Sequence, residues 1–324
     1  MNGIVVVKKE KKYTSFDVVA RMRGIFGQKK IGHTGTLDPD AEGVLPVCLG
    51  NATKVCGMLT DTDKTYEAVL LLGRETDTQD VSGETFRESP VNVSEEEVRS
   101  AVSRFCGELL QTPPMYSALK VDGKKLCDLA REGKTVERSP RKITVYENEI
   151  LSMQLPRVRL RIRCSKGTYI RTLCSDIGKE LGCGGCMESL VRTRAAGFSL
   201  SQAVSLGRLE EAKEAGRLEE YVLPTETVFL TFPAYAVSEG AERLLENGNP
   251  LRKDELVRLE TDPLRRDERF RLEADPLRGN EWICQAGEPF LVRVYGRDGI
   301  FRAVYEYPDG EERCRPRKMF LQRG

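Results

Sequence analysis

The segment from Arg157 to Cys164, RVRLRIRC, constrains the fold more than any other stretch of the chain. Arginine alternates with a non-polar residue at a period of two, the period at which strand side chains switch faces. Arg157, Arg159, Arg161 and Arg163 therefore share one face, and Val158, Leu160, Ile162 and Cys164 share the other. A helix would scatter these residues around its axis, so the pattern demands a strand with one dry side. The run ITVYENEILSM just before it is predicted as the neighbouring strand. Four arginines on one face repel each other unless something negative lies across them. Two partners would serve: the phosphates of a polyanion, or glutamates of the neighbouring strand such as Glu147 and Glu149.

Elsewhere, Gly3 to Val7 reads as a buried strand, and TSFDVVARMRGIF as an amphipathic helix capped at Thr14 or Ser15, with Val18, Val19, Met22 and Phe26 on one face. VLPVCLG is predicted as a short strand and NATKVCGMLTD as a helix capped by Asn51. KTYEAVLLLGRET suits a strand buried from Val69 to Leu72. Ser94 and Glu97 fit a capping box for a helix ending near Phe105, and TYIRTLCSDIGKELG a helix capped by Thr168. Strands and helices mix without regular alternation, which predicts an α+β fold around a mixed, mostly antiparallel sheet. After Pro224, short β-type runs broken by turns at 297–299 and 308–310 predict a small β-rich second domain. Within it, RLETDPLR at 258–265 returns as RLEADPLR at 271–278, read as an inserted, solvated hairpin or loop.

A chain of 324 residues exceeds the roughly 250 to 300 at which single cores stop growing, which also favours two domains. No run approaches the roughly 20 apolar residues of a membrane span, and Ile4 to Val7 is too short for a signal-peptide core, so a cytoplasmic location is expected. The ten cysteines lack a framework spacing and are expected as free thiols. Cys183 and Cys186 form one close pair where structural zinc needs two, and no metal is expected. With 51 basic and 50 acidic residues the net charge is +1, so only its distribution is informative. Residues 157–171 contain no acid and 111–148 are rich in Lys and Arg, while acid gathers at 94–97 and 208–220. Such segregation is the footprint of a nucleic-acid partner on a neutral protein.

GHTGTLDPDAEGVLP, from Gly32 to Pro46, holds the single histidine. Pro39 pushes Asp38 toward extended geometry, and Gly32, Gly35 and Gly43 permit tight turns. An aspartate on such a loop either forms a turn with its own backbone or is presented to a ligand.

Five segments in register resemble the TruB-type tRNA pseudouridine synthases of the stand-alone bacterial kind. They are KIGHTGTLDPDAEGVLPVCLGNATK, KTYEAVLLLG, PPMYSALKVDGKKL, SKGTYIRTLCSDIG and LVRTRAAGF. The resemblance runs from Gly3 to Pro224. LLENGNPL and RCRPRKMFL more weakly resemble a PUA RNA-binding domain. It implies a catalytic domain over 1–230 with a basic, T-arm-clasping insertion at 111–148, and a PUA-like domain over 231–324. The implied reaction is isomerisation of uridine-55 in the tRNA T-loop to pseudouridine, by base flipping and an aspartate-dependent rearrangement of the glycosidic bond. It needs no cofactor and implies a monomer with tRNA as partner and no obligate protein partner.

Residue by residue, Asp38 matches the catalytic aspartate, which either attacks the ribose C1′ or acts through the base. Arg171 matches the arginine that pairs with it, favouring its charged form. Tyr66 matches the aromatic that stacks on the target base, with a hydroxyl suited to take the C2′ proton in a glycal-type route. Leu190 matches an apolar wall of the uracil pocket, with helix-core packing as its alternative. His33 matches the ring that fills the place vacated by the flipped nucleotide. Lys120, Lys124, Lys125 and Arg141 of the insertion, with Arg159 and Arg161, are expected on the RNA backbone. The chain departs from the family where Lys-Pro-x-Gly is usual: Lys9 stands at the lysine, Glu10 at the proline and Lys12 at the glycine. Lys9 is expected on the substrate and the turn is expected to be loosened; Val191 replaces a common arginine. A non-catalytic tRNA-binding or tRNA-folding protein on the same scaffold is the competing reading. The catalytic subunit of a guide-RNA machine is disfavoured by the 111–148 insertion.

Overall fold

A computed structural model of the chain describes residues 1–121, 123–261, 264, 290–307 and 311–321. The RLEADPLR segment, residues 262, 263 and 265 of RLETDPLR, and the 308–310 turn lie outside the described residues.

The elements begin with β1 (Gly3–Lys9), α1 (Ser15–Phe26), β2 (Ile31–His33), β3 (Glu42–Leu49), α2 (Cys56–Thr60) and β4 (Lys64–Leu72). Next come β5 (Arg74–Thr76), β6 (Thr85–Glu88), α3 (Glu95–Arg104), β7 (Gly107–Gln111), β8 (Lys120–Val121), β9 (Lys124–Lys125) and α4 (Leu126–Arg131). β10 (Arg141–Gln154), β11 (Arg157–Cys164), α5 (Ile170–Glu180), β12 (Gly185–Ala195), β13 (Phe198–Ser199) and α6 (Leu206–Glu214) follow. The tail holds β14 (Ala234–Val237), α7 (Glu242–Glu246), β15 (Leu251–Arg252), β16 (Leu256–Arg258), β17 (Phe290–Tyr295), β18 (Phe301–Tyr307) and β19 (Arg313–Met319). Two compact units result: residues 1–39, 43–62 and 195–324, and residues 40–42 and 63–194.

In the first unit β1 pairs antiparallel with β3, from Gly3 opposite Leu49 to Lys9 opposite Gly43, and β2 lies along the other edge of β3. α1 starts where the sequence predicts, because Thr14 and Asp17 cap each other's backbone amides at 3.0 and 2.8 Å. Its Val18, Val19, Met22 and Ile25 pack on Val5, Val7, Leu45 and Val47, and Phe26 is only partly buried against them. Residues 50–55 form a 3-10 turn in place of the predicted helix start, and Asn51 caps nothing: its side-chain amide donates to the Phe320 carbonyl at 2.6 Å. The cause is local, since Gly50 at φ 58° turns the chain directly out of β3.

The tail forms one sheet in the order β15, β19, β18, β17, β14, β16, in which only β14 and β17 run parallel. One of its faces packs through Val237, Leu245, Val292, Val294 and Tyr305. On the other side Phe229, Phe232, Phe301 and Phe320 join Ile4, Val6, Val44 and Cys48 in a single core. Each such phenylalanine contributes on the order of 1.5–3 kcal/mol by leaving water.

In the second unit the sheet order is β12, β4, β11, β10, β7, with β4, β11, β10 and β7 successively antiparallel. RVRLRIRC is a strand as its alternation demands: Val158, Leu160, Ile162 and Cys164 are buried. α3 begins with the predicted Ser94–Glu97 capping box. α5 corrects the prediction at its start, because Thr168 turns its hydroxyl to the Ser165 carbonyl at 3.0 Å. The backbone amide of Tyr169, the N-cap itself, is satisfied by Gln111 Oε1 at 2.8 Å, a partner brought from β7. Among the described residues no helix is long and apolar enough to cross a membrane.

Candidate active site

In the first unit the loop after β2 presents Asp38, half-buried, between two residues that are both fastened. Leu37, 3% exposed, exchanges hydrogen bonds with Ser15 at the start of α1: its amide donates to Ser15 Oγ at 2.9 Å and its carbonyl accepts at 3.3 Å. The Pro39 carbonyl accepts from the Lys12 amide at 2.9 Å and from Lys9 Nζ at 3.0 Å. Asp38 thus sits on a short span anchored on either side. Pre-set geometry of this kind is what a reacting carboxylate needs.

Lys9 therefore differs from its expected role on the substrate. It is fully buried, and its ammonium also donates to the Glu10 carbonyl at 3.0 Å. A buried cation committed to carbonyls beneath the loop cannot reach an RNA phosphate. Nor is the turn loosened at Lys12, which adopts φ 69°, the left-handed conformation a glycine would take there. A side chain in that region costs about 1–2 kcal/mol. His33 closes β2 opposite Val47, half-exposed, five residues before Asp38.

In the second unit Tyr66 lies on β4 opposite Ile162 and is 8% exposed. Arg171, in the first turn of α5, is buried, and acceptors from three segments help fix its guanidinium. Nη1 donates to the Thr78 carbonyl at 3.0 Å, Nη2 to the Tyr116 carbonyl at 2.8 Å, and Asp80 Oδ2 lies 3.5 Å from Nη1. Asp80 is in turn held in the 76–83 turn, where it accepts from the Ser82 amide at 3.0 Å. Leu190 is buried on β12, a strand, so the helix-core alternative does not arise. Strand alternation places Arg192 on the same face as Leu190. Arg192 is 1% exposed, and its guanidinium donates to the Tyr66 hydroxyl. Burial pulls its pKa down and the Tyr66 oxygen opposes that shift; a guanidinium under such conditions remains cationic.

Asp80 and Arg192 escaped the sequence reading. The signal for Asp80 was its Thr-Asp-Thr-Gln-Asp turn composition. For Arg192 it was an arginine at the inward parity of an apolar strand, LVRTRA.

The two basic surfaces separate. On β11 each arginine has a carboxylate: Arg157 with Glu188 at 2.8 Å, Arg159 with Glu67 at 2.6 Å, Arg161 with Glu149 at 3.1 Å, and Arg163 with Glu147 at 2.8 Å. The repulsion that called for phosphate across this face is relieved inside the sheet. Arg159 and Arg161 are thereby accounted for without RNA. The hairpin of β8 and β9 is the opposite case. Lys120 faces Lys125 directly in the register, Lys124 is beside them, and all three are exposed. Among the described residues none of the three forms an ion pair, and like charges set opposite each other are unfavourable without an anion. Arg141 is exposed at the start of β10, opposite Gln111.

The family model described as "TruB family pseudouridylate synthase (N terminal domain)" matches residues 23–170, and "tRNA pseudouridylate synthase B C-terminal domain" matches residues 171–230. The chain is 45% identical over 329 aligned residues to tRNA pseudouridine synthase B of Lachnoclostridium phytofermentans, covering 99% of this chain and 100% of that one. The corresponding protein of Limosilactobacillus reuteri is 42% identical, with 99% of each chain covered. Among solved structures, a Cbf5-Nop10-Gar1 complex contains a chain of similar fold, with a TM-score of 0.69 at 25% identity over 99% of this chain and 85% of that chain.

Proposed function

The chain belongs to the TruB family of pseudouridylate synthases, and on that premise we propose that it isomerises uridine-55 in the T-loop of tRNA to pseudouridine. The observation that carries the reading is the anchored Asp38 span, fastened at Leu37 by Ser15 and at Pro39 by Lys9 and Lys12. In this reading Asp38 is the carboxylate that reacts and Arg171 is the arginine that pairs with it. Tyr66 stacks on the uracil, Leu190 walls the pocket, and His33 fills the place the base leaves. The unpaired register of Lys120 and Lys125 supports a T-arm contact at the hairpin, together with Lys124 and Arg141. The protein acts alone in the cytoplasm, as a monomer without a cofactor, with 1–230 as its catalytic domain and 231–324 as an RNA-binding tail. Relatives at 42–45% identity along the whole chain favour this over a guide-RNA-dependent machine.

The test is tritium release from a T-arm stem-loop labelled at uridine C5, with purified protein and nothing else. Release by the wild type and none by Asp38→Asn is the expected result. Binding without release by the wild type would instead identify a non-catalytic tRNA-binding protein.

A further inference from the structure

Arg192 has no part in the roles given above, yet it is among the largest fully buried side chains of the protein. Burying a guanidinium is costly unless its donors meet acceptors, so its location calls for a reason. β12 and β4 are neighbours in the sheet, and Thr193 Oγ1 donates to the Thr65 carbonyl at 3.2 Å, which fixes their alignment beside Tyr66. On that alignment the Arg192 guanidinium donates to the phenolic oxygen of Tyr66. A phenol whose oxygen accepts from a cation has a fixed C–O–H orientation, with its own proton directed away from the donor.

We propose that Arg192 is a positioning residue for pseudouridine formation, acting through the Tyr66 hydroxyl, which it holds in one orientation. The inference rests on the proposed role of Tyr66 at the target nucleoside. Arg192 itself need not touch RNA. Its planar fork suits the task better than lysine, because one rigid group can hold the phenol while its remaining donors serve other acceptors. Leu190 on the same strand face then supplies an apolar wall beside the polar anchor.

The test is a double-mutant cycle between Arg192→Met and Tyr66→Phe, with single-turnover rate and stem-loop affinity measured separately. Arg192→Met is expected to slow turnover about 100-fold, the scale of a roughly 1 Å misplacement, with affinity unchanged. In the Tyr66→Phe background the same substitution is expected to add almost nothing, since no hydroxyl remains to be held. Arg192→Lys, which keeps one cationic donor, is expected to recover part of the rate. Equal slowing in both backgrounds, or a loss confined to affinity, overturns the proposal. So does failure of both Arg192→Met and Arg192→Lys to fold, which makes the residue a support of the core only. A Tyr66→Phe enzyme with wild-type rate refutes the role of Tyr66 itself, a different outcome from any of these.

Discussion

Lys9→Met separates a buried anchor from an RNA contact. Methionine matches the length of the lysine stem and leaves no cavity, so the change is confined to the ammonium and its acceptors. Two hydrogen bonds from a charged donor are lost, at Glu10 and Pro39, both at 3.0 Å; each is worth about 1.5–3 kcal/mol. Removing a buried charge returns part of its desolvation cost, and Pro39 keeps the Lys12 amide at 2.9 Å. The net destabilisation expected is about 2 kcal/mol, or about 4–8 °C in melting temperature for a unit of this size. Asp38 is bonded to Pro39, so removing one of that carbonyl's two donors shifts the carboxylate, and a displacement of about 1 Å lowers turnover about 100-fold. Thermal melting, single-turnover tritium release and salt-dependent stem-loop binding are read on the same preparation. The expected pattern is a lower melting temperature and slower turnover with an unchanged salt slope. An unchanged melting temperature together with a slope reduced by about 1, the value of one lost phosphate contact, would refute the anchor and restore the RNA role.

Arg171→Met leaves Asp80 and two carbonyls without their donor in a site where the two side chains are 6% and 17% exposed. A loss of about 3–5 kcal/mol is expected in urea unfolding, and a loss under 1 kcal/mol would show that the 76–83 turn stands without it. Lys12→Gly relieves the left-handed backbone at φ 69° and is expected to gain up to about 1 kcal/mol with turnover intact; destabilisation would count against the strain. Replacing Lys120, Lys124 and Lys125 together by alanine is expected to flatten the salt dependence of binding by about 2–3 in slope. Arg159→Ala, which breaks the pair with Glu67 at 2.6 Å, is expected to leave it unchanged, and the reverse ranking would return the RNA to the arginine face. Burial pushes the thiols of Cys164 and Cys174 up to about 12, so thiolate is scarce at neutral and mildly alkaline pH. Iodoacetamide at pH 8 to 9 is expected to label exposed Cys106 but neither of these; labelling of Cys164 that climbs across this interval while the fold persists contradicts it.

The elements most legible in the sequence are those set by a single local rule. The alternation of RVRLRIRC, the Ser94 capping box and the adjacency of β10 and β11 emerge as read, and of the two caps left open for α1 the structure takes Thr14. What local rules missed came from partners distant in sequence. Thr168 gives up the cap because its hydroxyl donates to the Ser165 carbonyl, while Gln111, brought from β7, holds the chain at the Tyr169 amide. Asn51 likewise turns to distant Phe320, and Lys9 to Pro39. The arginine face shows the limit from the other side: Glu147 and Glu149, named in advance, pair with Arg163 and Arg161, but the partners of Arg157 and Arg159 are Glu188 and Glu67, brought from other strands. Five motifs in order sufficed for the family, since their agreement needs no structure. The buried contact between Arg192 and Tyr66 depends on two strands meeting, and no spacing within one strand announces it.

The core that joins Ile4, Val6 and Val44 to Phe229, Phe301 and Phe320 sets an order on synthesis. Domains generally fold as they emerge, N-terminal part first, but this core is closed by Phe301 and Phe320, translated long after Ile4 and Val44. Strands β1 and β3 must wait, one face uncovered, until the chain has been made as far as Phe320. Termination before Phe301 would therefore be felt at Ile4, and a ribosome stalled there would hold a chain whose Asp38 loop is complete and whose foundation is not.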